Sequence, residues 1–350
     1  MREISDHIIQ LGDSVRTALT KLDKLASDAI LFLVDEEQHL IGSITDGDLR
    51  RGFIKGLGFE DSLLAFIQPS PVFIKESNYT TEQLNDYKNR NLKIIPILDA
   101  ENRIKDILNF RLKKTLIPAV AVIMAGGEGK RLRPLTLTTP KPLLKVGSKP
   151  IIEHNIDRLI NVGIKKIHLS VNYLAEQIES YFGDGSQKNI SIGYLKETKP
   201  LGTIGSILLI DEFEHEDVII MNSDLLTTID FEDFYQTYKK SGASMAVAAT
   251  TYHVDVPYAV LETDRNQQVK SLKEKPRYTY YSNAGIYILN KEILQMIPKD
   301  QFFDITELME KVVAMGLNLI TYPINGYWLD IGKKDDFDKA QEDIKHLKLD

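Results

Sequence analysis

The stretch from Ala119 to Leu135 limits what this chain can become more than any other part of it. Ala119-Val-Ala-Val-Ile-Met124 is an unbroken apolar run, and it leads straight into Ala125-Gly126-Gly127-Glu128-Gly129-Lys130-Arg131-Leu132. A continuous apolar strand predicts burial on both faces, the condition of strands in parallel sheets. Three glycines in four residues allow a tight turn with no side chain between backbone and ligand. Successive N–H groups in such a turn can converge on one anion as a nest. Lys130, Arg131 and Arg133 add positive side chains beside it. The turn is neither a G-x-x-x-x-G-K-[ST] loop, because Arg131 follows Lys130, nor a G-x-G-x-x-G turn. It suits a polyphosphate.

Further along, strands alternate with helical patterns. Strands are expected at Lys166–Val171, Ile190–Tyr194 and Val218–Met221, and helices at Ile151–Asn161, Ala175–Tyr181 and Gly205–Glu212. A charged amphipathic helix is expected over Lys333–Leu349. The fold class is therefore α/β, a Rossmann-like, doubly wound mixed sheet whose strands are mostly parallel. At 350 residues the chain suits two domains, and the texture changes near Lys113–Pro118. The expected division is 1–115 and 119–350.

Composition narrows the function. A net charge of −7 argues against a broad electrostatic grip on nucleic acid or an anionic membrane, so a bound anion must be met by local basic groups. With no cysteine there is no disulfide, thiolate metal site or cysteine nucleophile. Met1–Leu11 has no apolar signal core, and no apolar run approaches about 18 residues. A cytoplasmic protein is expected. His154, His168 and His253 lack metal-ligand spacing and read as structural.

The first 115 residues carry an internal repeat. Ile30–Asp35 with Glu36–Ile44 can be laid over Ile94–Asp99 with Ala100–Leu108 at an offset of about 64 residues, so two copies of one small α/β module are expected. The block Leu33-Val-Asp-Glu-Glu-Gln-His-Leu-Ile-Gly-Ser-Ile-Thr-Asp-Gly-Asp-Leu-Arg50 resembles the core of a CBS module. That resemblance implies a tandem pair in regulation or assembly, with Thr45 and Asp48 as candidate contacts to an adenine nucleotide. The second half departs from the pattern, with Asn109 and Leu112 at the matching places. A docking or dimerising platform without ligand is the alternative.

Downstream of the glycine-rich turn lies Pro140-Lys141-Pro142-Leu143-Leu144, whose prolines fix the backbone around a lysine. Val218-Ile-Ile-Met-Asn-Ser-Asp224 puts a carboxylate just past the end of an apolar strand, where open α/β sheets form their ligand crevice. A second carboxylate, Asp330, stands in Tyr327-Trp-Leu-Asp-Ile-Gly-Lys-Lys334. The series G-G-x-G-x-R-L-x-P-L-T, then P-K-P-L-L, then Lys149-Pro-Ile-Ile-Glu-His154, is similar to the signature of the sugar-1-phosphate nucleotidyltransferase family, with a GT-A-like domain from about Val120 onward.

That resemblance implies the chemistry. An NTP would lie with its phosphates over Ala125, Gly126, Gly127, Glu128, Gly129, Lys130 and Arg131, and its base near Gly202 and Thr203, with Glu197 facing the nucleoside. A simple cap by Thr203 on its own helix is the structural alternative. Arg131, Lys141 and Asp224 would be the catalytic groups, and Asp224 with Asp330 would hold Mg²⁺. Glu274 and Lys275 of Lys273-Glu-Lys-Pro276, with Asn283 of Ser282-Asn-Ala-Gly-Ile-Tyr287, would bind the sugar 1-phosphate. Lys130 stands where the family usually has Thr or Ser, and Ala259 where it more often has Gly. With the CBS pair, this form of the turn resembles guanylyltransferases of bacterial nonulosonic (legionaminic) acid pathways that use glucosamine 1-phosphate. GTP is accordingly the favoured nucleotide. Mannose or heptose 1-phosphate guanylyltransferases, thymidylyl-, uridylyl- or cytidylyltransferases and an inactive nucleotide sensor are the other readings. A homo-oligomer is expected, and an appended acyltransferase β-helix is not.

Overall fold

The repeat of the amino-terminal third takes the form of two three-stranded sheets. The structure is a computed structural model and describes residues 4–76, 79–90, 92–110, 116–347 and 349. Leu112 and the stretch 111–115, where the expected boundary falls, lie outside the described residues. Two compact units emerge, Met1–Pro118 and Ala119–Asp350. Among the described residues no helix is long and apolar enough to cross a membrane.

In the first unit, β1 (Ile8–Gln10), α1 (Val15–Leu25), β2 (Ile30–Val34), β3 (Leu40–Thr45) and α2 (Asp46–Ile54) are followed by β4 (Ile74–Lys75), α3 (Thr81–Asn89), β5 (Ile94–Leu98) and β6 (Ile104–Asn109). β1 runs parallel to β2 and β2 antiparallel to β3; β4, β5 and β6 repeat this arrangement. Both halves shift register at the same place, between Leu33 and Val34 and between Ile97 and Leu98. The two turns also bond reciprocally. Leu40 N–H donates to Asn102 O at 3.2 Å, and Ile104 N–H donates to Gln38 O at 3.4 Å. Those exchanged bonds relate the halves by an approximate twofold. α1 is capped by Ser14 and buries Val15, Ala18, Leu22 and Leu25, one stripe of an amphipathic helix.

The second unit is built on seven strands. In chain order its elements are β7 (Ala119–Met124), β8 (Lys145–Val146), β9 (Lys149–Pro150), α4 (Ile151–Asn161), β10 (Lys166–Val171), α5 (Ala175–Phe182), β11 (Ser191–Lys196), β12 (Asp217–Asn222), β13 (Leu225–Thr227), α6 (Phe231–Ser241), β14 (Met245–Asp255), β15 (Val260–Thr263), β16 (Val269–Lys273), β17 (Arg277–Asn290), α7 (Ile305–Ala314), β18 (Leu319–Pro323), β19 (Trp328–Asp330) and α8 (Lys334–Asp343). The main sheet has the order β11-β10-β7-β12-β17-β14-β18. β17 is antiparallel to both its neighbours, and the remaining pairings are parallel, so the sheet is mixed. Reversal of β17 is what makes the sheet mixed, as expected, within an otherwise parallel order. The expected helix over Gly205–Glu212 is a correction: a short 3₁₀ turn, Gly205–Leu209, stands there. From β7 the chain steps to β10 and β11 on one side and returns to β12 on the other. The carboxyl ends of β7 and β12 therefore flank a topological switch point, the crevice in which such sheets bind ligands.

Candidate active site

The glycine-rich turn leaves the end of β7 and is fixed at both ends. Ala125 N–H donates to Ser170 O at 2.8 Å, and Leu132 N–H closes a 3₁₀ turn on Gly129 O at 2.9 Å. Gly129 has φ +61°, and a Cβ there would stand 3.0 Å from both Lys141 Cβ and Thr136 Cγ2. No other residue fits that conformation and that gap together. The basic side chains differ in their roles. Lys130 and Arg133 are exposed and both lie close to Glu128, at 3.3 and 3.4 Å. Arg131 instead lies by the segment after Asp330, since a Cβ on Gly332 would be 3.2 Å from its Nη2.

Asp224 and Asp330 come together through backbone pairing. β13 and β19 are antiparallel with Leu225 opposite Asp330, and Ile331 N–H donates to Asp224 O at 3.0 Å. Lys141 reaches the same point from its Pro-flanked turn and forms an ion pair with Asp224 Oδ2. Asp224 Oδ1 and Asp330 Oδ1 are both buried with no hydrogen-bond partner. An unmatched buried polar group costs about 1–3 kcal/mol, so two in contact segments point to a ligand. Burial, and then the charge of Asp224, push the Asp330 carboxyl above the ordinary carboxylate range, while Lys141 and Arg131 pull the other way. Two oxygens without donors fit a hard divalent cation such as Mg²⁺, which takes one or two carboxylates and leaves its other positions to water and phosphate. Among the described residues, no group of three or more His, Asp or Glu comes together as a metal site.

The proposed base segment is held from two sides. Glu197 accepts from Ser170 Oγ at 2.7 Å and from Leu201 N–H at 3.1 Å. Its Oε1 also approaches the turn, standing 3.4 Å from where a Gly126 Cβ would be. Gly202 has φ +78°, and a Cβ there would lie 2.4 Å from Phe303 O, so only glycine fits. Thr203 does not cap its own helix. Its N–H donates to Asp304 Oδ1 and its Oγ1 accepts from Ile305 N–H, both at 2.9 Å, which ties it to the start of α7. Sequence reasoning missed Asp304. The signal available was the D-x-x-E pattern of Asp304 and Glu307, a capping box that the structure forms.

On the sugar side the expected residues separate. Asn283 Oδ1 accepts from Gly285 N–H at 2.9 Å, and the Gly285 backbone lies against Asn222, whose Nδ2 would be 2.6 Å from a Cβ at that position. Trp328 Nε1–H donates to Ala284 O at 2.9 Å. The Asn283 segment is thus joined to both carboxylate segments. Glu274 and Lys275 lie on the exposed turn between β16 and β17, where Lys275 has φ +43°. In the first unit, Thr45 and Asp48 form a reciprocal capping box on α2: Thr45 Oγ1 donates to Asp48 Oδ2 at 2.5 Å, and Arg51 donates to Oδ1 at 2.6 Å. The histidines have structural partners or settings. His154 lies 2.9 Å from Val146 O, His253 3.1 Å from Thr279 Oγ1, and His168 against Gly193.

Residues 120–346 match the family model described as nucleotidyl transferase. A mannose-1-phosphate guanylyltransferase catalytic subunit beta from Drosophila melanogaster is 33% identical over 230 residues, covering 62% of this chain and 60% of that protein. A UTP–glucose-1-phosphate uridylyltransferase from Synechocystis sp. is 32% identical over 253 residues, 65% of each chain. The chain spans about 60% of the length of the first of these relatives. A solved structure from Bacillus anthracis, assigned as a glucose-1-phosphate thymidylyltransferase in complex with a sucrose, superposes with a TM-score of 0.53 at 22% identity. It covers 66% of this chain and 97% of that one, and the likeness is one of fold.

Proposed function

This chain belongs to the nucleotidyl transferase family, and we propose that it transfers a nucleoside monophosphate from an NTP to a sugar 1-phosphate, releasing pyrophosphate. The observation that carries this reading is the Asp224–Asp330 pair, two half-buried carboxylates that each keep one buried oxygen without a donor, beside a lysine and a glycine-rich turn. Phosphoryl-type transfer needs positioning and charge neutralisation more than covalent help, and the site supplies those.

The NTP phosphates lie along Gly126–Arg131, and its base against the Gly202–Thr203 segment. The Thr203 N–H is already committed to Asp304, so base recognition falls to neighbouring backbone groups and not to that donor. Asp224 and Asp330 hold Mg²⁺, which supplies charge neutralisation at the phosphates when bound. A phosphate oxygen of the sugar 1-phosphate forms the new bond to the α-phosphorus in line. The bond from that phosphorus to the bridging oxygen breaks, and its electron pair leaves on pyrophosphate. Arg131 and Lys141 stabilise the crowded charge. The attacking phosphate is already anionic near neutral pH, with a second pKa of about 6, so no general base is needed. Asn283, Glu274 and Lys275 position the sugar 1-phosphate.

GTP is the favoured nucleotide, supported by the guanylyltransferase from Drosophila melanogaster. Glucosamine 1-phosphate, in a nonulosonic acid pathway, is the favoured acceptor on the form of the turn and the accompanying repeat. Uridylyl transfer is the second reading, favoured by the Synechocystis relative at similar identity. We read residues 1–115 as a tandem CBS pair serving regulation or assembly of a cytoplasmic homo-oligomer, supported by the internal duplication there. An adenine nucleotide bound there would compete with the bonds Thr45 and Asp48 make to each other. The deciding experiment incubates the protein with each NTP against a panel of sugar 1-phosphates and follows pyrophosphate. Release only with GTP and one amino sugar supports the full reading; release with no pair overturns the transferase reading in favour of a nucleotide sensor.

A further inference from the structure

Lys141 stands between the two halves of the site. Its stem packs under the phosphate-binding turn, where a Cβ on Gly129 would be 3.0 Å from Lys141 Cβ and 3.5 Å from Cδ. Its ammonium sits on Asp224 Oδ2, with 11% of the lysine side chain and 20% of the aspartate side chain exposed. One oxygen of Asp224 therefore already carries a cation, while its other oxygen and Asp330 Oδ1 are buried and undonated.

We propose that Lys141 is a resident stand-in for the metal: in the free protein it neutralises Asp224, the one carboxylate of the pair that it touches, and it passes to the nucleotide phosphates when the divalent cation arrives, so that metal and NTP bind as a coupled pair. This rests on the transferase reading. A dication and an ammonium on one buried carboxylate repel each other, so the two cannot share Asp224 at full strength. An ammonium displaced without a new partner would be a buried uncompensated charge, which resists metal binding in the absence of nucleotide. The NTP phosphates over Gly126–Arg131 supply the new partner, next to the turn on which the lysine stem already rests. A lysine suits this exchange because its charge is compact and its stem has several rotatable bonds; the planar arginine fork is built for one fixed geometry. Coupling of this kind is reciprocal, so whatever the nucleotide does for metal affinity the metal does for nucleotide affinity.

The test counts free Mn²⁺ by EPR during titration of the full chain without nucleotide. Lys141→Met should bind Mn²⁺ about tenfold tighter than wild type, within the usual range of coupling between sites. Arg131→Met removes the same charge from the neighbourhood of Asp330 but not from Asp224 Oδ2, and should change the affinity by less than about threefold on the same scale. Equal tightening in both variants would show a general charge effect and overturn the proposal, as would no tightening in a Lys141→Met protein with native circular dichroism. Lys141→Arg keeps the cation and should bind Mn²⁺ no tighter than wild type; tighter binding overturns the idea. If Lys141→Met does not fold, wild type decides. A nucleotide analogue uncleavable between α and β must raise affinity for Mn²⁺, referred to free Mn²⁺, by about tenfold, and an unchanged affinity is fatal. These readouts are independent of turnover. Tight Mn²⁺ binding in Lys141→Met, together with no pyrophosphate from wild type on any substrate pair, would remove the transferase reading and leave the exchange intact.

Discussion

Thr45 and Asp48 in the first unit, and Asp224 and Asp330 in the second, were all candidate ligand residues, and the structure treats the two pairs in opposite ways. Thr45 and Asp48 satisfy one another in a capping box, with Arg51 taking the remaining carboxylate oxygen. Burial works to raise the Asp48 carboxyl, but the bonds from Thr45 and Arg51 outweigh it and hold it below the ordinary range. Asp224 and Asp330 each keep a buried oxygen without a donor, and Asp330 is pushed up. Polar groups that satisfy each other explain themselves through the fold. Groups left unsatisfied at a cost of about 1–3 kcal/mol each call for a ligand. The difference accounts for the first pair by the fold alone, and leaves at the second pair the opening that the proposed metal would fill.

The largest effect is expected at Asp224. Asp224→Asn should cut turnover by about 10³-fold, on the scale of losing preorganised charge at a transferring phosphoryl group. It should also lower the Tm because the buried Lys141 ammonium loses its partner, so turnover is compared well below that Tm. Near wild-type pyrophosphate release from that variant would break the contrast at its strongest point. A smaller effect is expected at Asp304, a positioning residue acting through Thr203. Asp304→Ala should raise KM for the NTP by roughly tenfold to a hundredfold, the value of a hydrogen bond to a charged group, and leave KM for the sugar 1-phosphate within about twofold. Asp304→Asn keeps an acceptor for the Thr203 N–H and should recover most of the loss. Equal rises in both KM values would make Asp304 part of the general scaffold.

Which of these features could be read beforehand depends on how local their causes are. Ala119–Met124, Lys166–Val171 and Ile151–Asn161 stand as strand, strand and helix at the residues expected. Each is specified by its own apolar pattern. The Gly205 segment is not, because a Cβ on Gly205 would meet Gln301 O at 3.1 Å and Leu201 Cβ at 3.2 Å, so its path follows a neighbour far away in sequence. Reversal of β17 is likewise non-local, since a strand's own residues do not encode its direction within a sheet. β13 and β19 are three residues each and carry no periodicity to read. The approach of Asp224 to Asp330 was available only from resemblance to a family, and the Thr203–Asp304 link from neither source.

In the first unit the expected effect is on stability alone. Thr45→Ala should cost about 1 kcal/mol, the ordinary loss of a helix cap, with turnover unchanged. Thermal shift with ATP or AMP sharpens the point. A nucleotide that raises the Tm of wild type but not of Thr45→Ala would make Thr45 a ligand contact and erase the contrast between the pairs.

The smallest effect, and the most direct reading of the unsatisfied pair, is the pH dependence of Asp330→Asn. The native state holds the Asp330 proton more tightly than the unfolded chain does, because burial and Asp224 disfavour its charge. Stability from this group is therefore fully present below the ordinary carboxylate value of about 3.9 and is lost as pH rises through the raised native value. Asn carries no charge at any pH, so the metal-free variant should melt higher than metal-free wild type at neutral pH. The difference should shrink as pH falls toward 4 and both forms of residue 330 become neutral. Melting curves of the two proteins in EDTA from pH 4 to 8 measure this as a difference, which cancels the titration of the other carboxylates. A gap that stays constant across that range, or a variant that melts lower at neutral pH, would show that Lys141 and Arg131 already balance the pair, and that Asp330 carries no electrostatic cost for a metal to relieve.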